Sequence, residues 1–359
     1  MPPASGKIRV LVVDDSALMR QLIARELGSR PGIEVAGTAR NGKEALEKTA
    51  ALAPDVVTLD VEMPVMDGIE ALRRIMREFP RPVIMFSSHT TEGARSTVEA
   101  LSLGAVDFVT KPARREDFPR LVEELAAKVR AAAAVSAAGA ARAARASETG
   151  AAPPAGVLAP AARGTARARL VVIGCSTGGP SALQAVIPAL PAGFPASVVV
   201  VQHIPVGFSG PLAEHLAKKS VLPVKHAENG DPLEPGRVLV APAGLDLTFS
   251  DGPSGARVSL SPGKAPLPPG GFRPSVDGVM TSAARTFGPA VVGVLMTGMG
   301  RDGAAGMAEI KRAGGRTIAE AESTCVVFGM PRAAIEAGAA DRVVPLYQIA
   351  AEIQAAVVK

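Results

Sequence analysis

The sequence predicts an α/β protein built from two parallel-sheet domains, and three observations carry that expectation. Short, β-branched apolar runs alternate with helix-patterned segments over most of the chain, as expected of strands buried on both faces between helices. The alternation breaks once, at a stretch rich in Ala, Pro and Gly that has almost no large apolar side chain and so cannot build a core. At 359 residues the chain also has the length of two ordinary domains, each of about 100–200 residues.

The first domain is expected over residues 1–130. Its strands are predicted in "KIRVLVV", "IEVAGTA", "DVVTLD", "PVIMFSS" and "VDFVT", each followed by a helix-compatible stretch. Such an alternation implies a parallel five-stranded sheet covered on both faces. Residues 131–168 are expected to be a linker: the first part can extend the preceding helix, and the Pro/Gly part cannot. The second, larger domain is expected over 169–359, where "RLVVIGCS", "SVVVVQH", "RVLVAP", "AVVGVLMTG" and "GRTIAE" repeat the pattern and predict a doubly wound sheet. Within it, "LDLTFSDGPSGARVSLS" alternates about a Gly/Pro/Ser turn and predicts a small β-hairpin.

Composition excludes more than it selects. The formal net charge is +5, with Lys and Arg scattered among 34 acidic residues and no dense basic block, so no nucleic-acid partner is expected. One tyrosine and no tryptophan leave little to stack on bases. Cys175 and Cys325 lie far apart in apolar stretches, which fits small, reduced core residues of a cytosolic protein better than a disulfide framework. "MPPASGKIRV" lacks the apolar segment of a signal peptide, and the Ala-rich stretch after residue 130 is broken by Gly and Arg before it could span a bilayer. A cytoplasmic protein without membrane insertion is expected.

In a parallel sheet, ligands bind where strands end at their carboxyl edge. In the first domain Asp14 and Asp15 follow the first strand, Asp60 ends the third and Lys111 follows the fifth. Carboxylates gathered this closely repel unless a divalent cation offsets their charge, and a hard, oxygen-loving ion such as Mg²⁺ suits them. Beside it Asp60 is a candidate nucleophile towards a phosphoryl group, with Lys111 and the Ser87 hydroxyl placed to hold phosphoryl oxygens. Taken singly, Asp15 and Ser16 also read as helix caps, Asp60 as a turn residue and Lys111 as a solvated loop residue.

In the second domain, "VVIGCSTGGP" runs from a strand into a glycine-rich turn around Ser176. Helix N-terminal amides after such a turn attract anions, but a dinucleotide site requires an acidic residue at the end of the next strand, and "SVVVVQHIP" ends in Gln202 and His203. Gly174 to Gly178 also match the G-x-S-x-G nucleophile elbow. The usual hydrolase order of Ser, acid, His is not available, since Glu214 is the one acidic residue between Ser176 and the last histidine, His226. Of the four histidines, His89 lies in the first domain, and His215 and His226 lie in polar segments that suggest structural roles. His203 lies on a strand end beside that of Ser176 and suits a general base. Asp302, in the loop "TGMGRDGAAGM", reads as an N-cap or as the carboxylate that orients His203. The turns around Thr177 and Met299 offer backbone N–H groups as oxyanion donors.

The first stretch resembles the response-regulator receiver domain, of flavodoxin-like fold. That resemblance implies phosphorylation of Asp60, a Mg²⁺ held by Asp14, Asp15, Asp60 and the backbone carbonyl of Glu62, switch residues Ser87 and Lys111, and an aromatic at Phe108 that reorients. In the second domain, "IGCSTGGP", "QHIPVGF", "RPSVD", "LMTGMGRDGAAGM" and "CVVFGMPRAAI" resemble the catalytic domain of the CheB-type chemotaxis methylesterases, which are also glutamine deamidases. That resemblance implies a Ser176, His203, Asp302 triad, with Thr177 and Met299 at the oxyanion and no cofactor for the esterase reaction. It further implies methyl-accepting chemoreceptors as substrate, a chemotaxis histidine kinase as phosphodonor, and a receiver that shields the active site until Asp60 is phosphorylated. The linker is longer and richer in Ala and Pro than the family leads one to expect. The contrasting expectation is a receiver fused to a non-catalytic binding module.

Overall fold

The computed structural model describes residues 6–88, 90–112, 114–134, 169–252, 255–263 and 271–358. His89 and all of the expected linker beyond Ala134 lie outside the described residues. The chain divides into two compact units, 1–150 and 151–359.

In the first unit, strands β1 (Ile8–Val13), β2 (Ile33–Ala39), β3 (Val56–Asp60), β4 (Val83–Ser87) and β5 (Asp107–Thr110) pair in the order β2-β1-β3-β4-β5, all parallel. Helices α1 (Ala17–Gly28), α2 (Gly42–Leu52), α3 (Gly68–Glu78), α4 (Thr91–Ser102) and α5 (Phe118–Ala134) follow the strands in turn. Four of them start on a side-chain cap: Ser16, Asn41, Asp67 and Thr90 each accept a backbone N–H of the first turn, satisfying one otherwise orphaned donor. Val10 to Val13 and Ile84 to Phe86 are fully buried, which explains why these strands read as unbroken apolar runs. In this strand order the connections change direction between β1 and β3, and a crevice opens there at the carboxyl edge. Asp14 and Asp60 flank that crevice.

In the second unit, a seven-stranded sheet has the order β14-β13-β12-β6-β7-β9-β8, and every pairing is parallel. Its central strands are β6 (Leu170–Cys175), β7 (Ser197–Gln202) and β12 (Val291–Leu295), flanked by β8 (Val224–His226), β9 (Val238–Val240), β13 (Arg316–Glu320) and β14 (Arg342–Val344). The predicted hairpin is present as antiparallel β10 (Leu245–Ser250) and β11 (Arg257–Pro262). Helices α6 (Gly179–Val186), α7 (Ser209–Lys219), α8 (Val276–Phe287), α9 (Ala304–Arg312), α10 (Met330–Glu336) and α11 (Leu346–Val358) complete the unit. Every residue of β6, β7 and β12 is buried. Val172, Val199 and Leu295 pack with Val276 and Met280 of α8 and Met307 of α9 in one core, each fully buried side chain contributing about 1.5–3 kcal/mol. The chain leaves β6 towards β7 on one side and returns through β12 on the other, so the crevice falls where the loops after β6, β7 and β12 meet.

Candidate active site

Ser176, His203 and Asp302 follow β6, β7 and β12 respectively, on three adjacent strands of the sheet. Cys175 pairs with Gln202, so Ser176 and His203 occupy corresponding positions on strands that run about 4.8 Å apart. The Ser176 N–H donates to the Thr297 carbonyl (3.0 Å), tying this turn to the end of β12, and the His203 N–H donates to the Cys175 carbonyl (2.9 Å). Gly178 closes the turn at φ 79°, a left-handed conformation open to glycine at little cost. Ser176 is 8 % exposed.

His203 Nε2 lies 2.8 Å from Asp302 Oδ2. One face of its ring is covered by Phe272, with centroids 4.6 Å apart and 7° between the planes. Asp302 is held by more than the histidine. Its Oδ1 accepts from Ser275 Oγ (2.9 Å) and the Asp277 N–H (2.9 Å), and its Oδ2 also accepts from the Val276 N–H (2.8 Å). Burial would raise this carboxyl, yet the hydrogen bonds from His203, Asp277 and Val276 hold it down at about 2. Asp302 is therefore an anion at neutral pH, and since a carboxylate can only accept, Nε2 carries the proton that faces it. Among the described residues no hydrogen bond joins Ser176 Oγ to His203.

Two backbone donors of the loops after β6 and β12 are left over. Among the described residues, no acceptor takes the N–H of Thr177 or of Met299, as expected of tight turns that leave amides unpaired. Thr297 braces the turns: its Oγ1 donates to the Thr177 carbonyl (2.9 Å) and its N–H to Glu320 Oε2 (2.8 Å). Glu320 is fully buried, and burial pushes its carboxyl up.

Phe272, Ser275, Asp277 and Thr297 were not singled out from the sequence. The one signal for the middle pair was their place in "RPSVD", which by itself also reads as a helix start. The other two described histidines bond within the fold: His215 Nε2 pairs with Gln184 Oε1 (3.2 Å) and His226 Nε2 with Ser209 Oγ (3.0 Å). Cys175 is buried as expected, whereas Cys325 is half-buried in the turn after β13 rather than in the core.

In the first unit, side-chain oxygens of Asp14, Asp15 and Asp60 lie within 4.8 Å of one another. Lys111 Nζ reaches Asp60 Oδ2 at 2.6 Å and Asp14 Oδ2 at 3.2 Å. Burial, reinforced by Asp14 and Asp15 and opposed by Lys111, pushes Asp60 up to about 6. Asp14 is likewise raised, by burial first. Burial works against the Lys111 ammonium, but Asp60 holds it above its usual range. Asp14 Oδ2 is buried and faces only the Lys111 ammonium, which it shares with Asp60, so the donor set, three hard carboxylate oxygens against one cation, fits a divalent ion. The Glu62 side chain accepts from Ser88 Oγ (3.2 Å). Ser87 is fully buried with its hydroxyl on the first turn of α4, donating to the Gly93 carbonyl (3.1 Å) and accepting from Thr97 Oγ1 (2.6 Å). Ser16 caps α1, as its sequence position suggests. Phe108 is buried beneath Lys128, whose Nζ lies 5.5 Å from the ring centroid.

Comparison with known proteins agrees with both units. The family described as response regulator receiver domain matches residues 10–123, and the family described as CheB methylesterase matches residues 171–353. A protein-glutamate methylesterase/protein-glutamine glutaminase of Symbiobacterium thermophilum is 49 % identical over 98 % of this chain and 97 % of its own. A protein of the same description from Archaeoglobus fulgidus is 47 % identical over 96 % and 97 %. The crystal structure of the Thermotoga maritima CheB methylesterase catalytic domain superimposes with a TM-score of 0.51 at 42 % identity, covering 53 % of this chain and 99 % of that one. Receiver in front, esterase sheet behind and near-full-length similarity together mean that the chain belongs to the CheB-type protein-glutamate methylesterase/protein-glutamine glutaminase family.

Proposed function

We propose that this protein is a phosphorylation-activated hydrolase that removes methyl esters from glutamate side chains of chemoreceptors and deamidates some of their glutamines, through Ser176, His203 and Asp302. The observation that carries the reading is the 2.8 Å contact between His203 Nε2 and an ionised Asp302 on the strand ends flanking Ser176. Asp302 keeps the proton on Nε2, so Nδ1 is the nitrogen that takes the Ser176 proton as Oγ attacks the ester carbonyl. The tetrahedral oxyanion is met by the N–H groups of Thr177 and Met299. His203 returns the proton to the leaving methanol, or to ammonia from a glutamine, and then activates the water that releases the glutamate from Ser176. The ester chemistry calls on no cofactor.

The receiver supplies control. Asp60 is the phosphoacceptor, Lys111 holds a phosphoryl oxygen, and Ser87 does so after releasing its bonds to α4. Asp14, Asp15 and Asp60, with the Glu62 carbonyl, would hold Mg²⁺, which when bound offsets the charge that builds as the phosphoryl group is transferred. The donor is a histidine kinase of the chemotaxis type, and phosphorylation lifts the receiver's shielding of the esterase site. We place the protein in the cytoplasm; no described helix is long and apolar enough to cross a membrane.

The test is methanol release from a methylated chemoreceptor cytoplasmic fragment, with and without a small phosphodonor and Mg²⁺. Release is expected to rise with the phosphodonor and to fall by at least about 10³-fold in Ser176→Ala. Release that survives in that variant overturns the mechanism.

A further inference from the structure

Strand β7 ends in Gln202, the residue before His203, and its side chain is 6 % exposed. Its Nε2 donates to the carbonyls of both Ser176 and His203, each at 2.8 Å, while its Oε1 accepts from Cys175 Sγ at 3.1 Å. An amide nitrogen has two protons to give, and here both are spent on the two residues that the proposed mechanism joins. The backbone ladder between β6 and β7 has its last rung at the His203 N–H to Cys175 carbonyl bond. Beyond it the two chains part into loops, and Gln202 carries the cross-link one step further.

The room for this side chain comes from the turn. A Cβ on Gly179 would stand 2.1 Å from Gln202 Oε1 and 3.0 Å from Cys175 Sγ. The second glycine of "STGG" therefore clears the space that the amide fills.

The Ser176 carbonyl and the Thr177 N–H belong to one peptide unit, which is planar and trans, so they point in opposite directions. The carbonyl is fixed inward by Gln202 Nε2 and by the Gly179 N–H (2.8 Å). Fixing it inward turns the Thr177 N–H outward, towards the place where an oxyanion would form. We infer that Gln202 is a positioning residue of the esterase reaction: it sets the spacing between the Ser176 and His203 backbones and holds the Thr177 N–H in its donating orientation. This rests on the triad proposed above.

The role predicts losses in the transition state and not in substrate binding. Gln202→Met keeps the length of the side chain and removes its donors, and Gln202→Glu faces two carbonyls with a carboxylate. In the full-length protein both are expected to lower kcat for methanol release by about 10- to 100-fold while KM moves by less than about 2-fold. The rate at which a fluorophosphonate modifies Ser176 is expected to fall in parallel, since it reads the serine without the receptor. Cys175→Ala, a small change in the core, frees Oε1 and is expected to cost about 2- to 10-fold in both rates; it stands in as the deciding variant where a Gln202 substitution does not fold by circular dichroism. Folded variants with wild-type kcat and labelling, or with a change confined to KM, overturn the assignment. Ser176→Ala run beside them separates the two readings. If it is inert while the Gln202 and Cys175 variants are normal, only the positioning role falls; if it is active and unlabelled at wild-type rates of release, the triad falls as well.

Discussion

Asp302 and Asp277 exchange helix caps. Asp302 accepts the N–H groups of Val276 and Asp277 at the start of α8, and Asp277 accepts those of Gly303 (2.9 Å) and Gly306 (2.6 Å) at the start of α9. Asp302 thus fixes the start of the helix that carries Asp277, and Asp277 fixes the start of the helix that follows Asp302. Asp277 is raised above the usual carboxylate range, by burial first and then by the neighbouring Asp302 charge.

Asp277→Ala removes the one oxygen, Oδ1, that accepts both N–H groups at the α9 start. A lost cap costs about 0.5–2 kcal/mol, so the unfolding midpoint of the esterase unit should fall by about 2–6 °C. Because Asp302 loses its anchored loop, kcat should fall by more than the loss of stability alone accounts for, and Asp277→Asn, which keeps one acceptor oxygen, should recover part of it. Calorimetry and methanol-release kinetics on the same preparations check this; unchanged kcat in the alanine variant would detach the cap exchange from the chemistry.

The depressed Asp302 carboxyl ties stability to pH with a definite sign. Its folded value, about 2, lies below the unfolded value of about 3.9. The native state therefore binds this proton less readily than the unfolded chain does, and the contribution of Asp302 is complete above about pH 4 and lost as pH falls towards about 2. In Asp302→Asn that loss disappears. The gap in unfolding midpoint between wild type and the variant should narrow as pH is lowered from about 5 to about 2.5. A gap that stays constant over the range would mean that the ionised carboxylate is not what these hydrogen bonds stabilise.

How much of this could be read in the sequence depended on how local the cause is. β6, β7 and β12 are buried on both faces and so are written as unbroken apolar runs, and Ser176, His203 and Asp302 were legible because each stands just beyond such a run. The edge strands β8 and β14, "VKH" and "RVV", are three residues each and pair on one side only; segments so short carry no periodicity. Ser275 and Asp277 acquire their partners because the start of α8 arrives beside a loop some 25 residues further along the chain, which no local pattern records. Ser87 shows the same limit in another way: the strand placed the residue, but its hydroxyl bonds to α4 through Gly93 and Thr97.

Phe272 covers one face of the His203 ring at 4.6 Å and is itself 36 % exposed. An aromatic pair of this kind contributes about 0.5–1.5 kcal/mol beyond area burial. Phe272→Ala is accordingly expected to lower kcat by about 2- to 10-fold and to lower the unfolding midpoint by about 2–6 °C, since the ring is mostly buried. Phe272→Tyr, which keeps the ring, should retain wild-type kcat. Equal rates in all three proteins would leave Asp302 as the sole orienter of the imidazole.

The receiver cluster is a case of charge held against the fold. Asp14 is fully buried, and its Oδ2 shares the single Lys111 ammonium with Asp60. Two buried carboxylates set against one cation leave an excess of negative charge that costs stability until a divalent ion offsets it. Asp14→Asn relieves that excess, so in the presence of a chelator it should raise the unfolding midpoint of the receiver by about 2–6 °C. The same substitution removes a ligand oxygen, and the rise in midpoint that added Mg²⁺ produces in the wild type by binding the native state should largely vanish. Asp60→Asn is expected to leave basal methanol release intact and to abolish its stimulation by the phosphodonor. If Asp14→Asn instead lowers the metal-free midpoint, its pairing with Lys111 outweighs the repulsion, and the carboxylates are held together by the lysine rather than awaiting a cation.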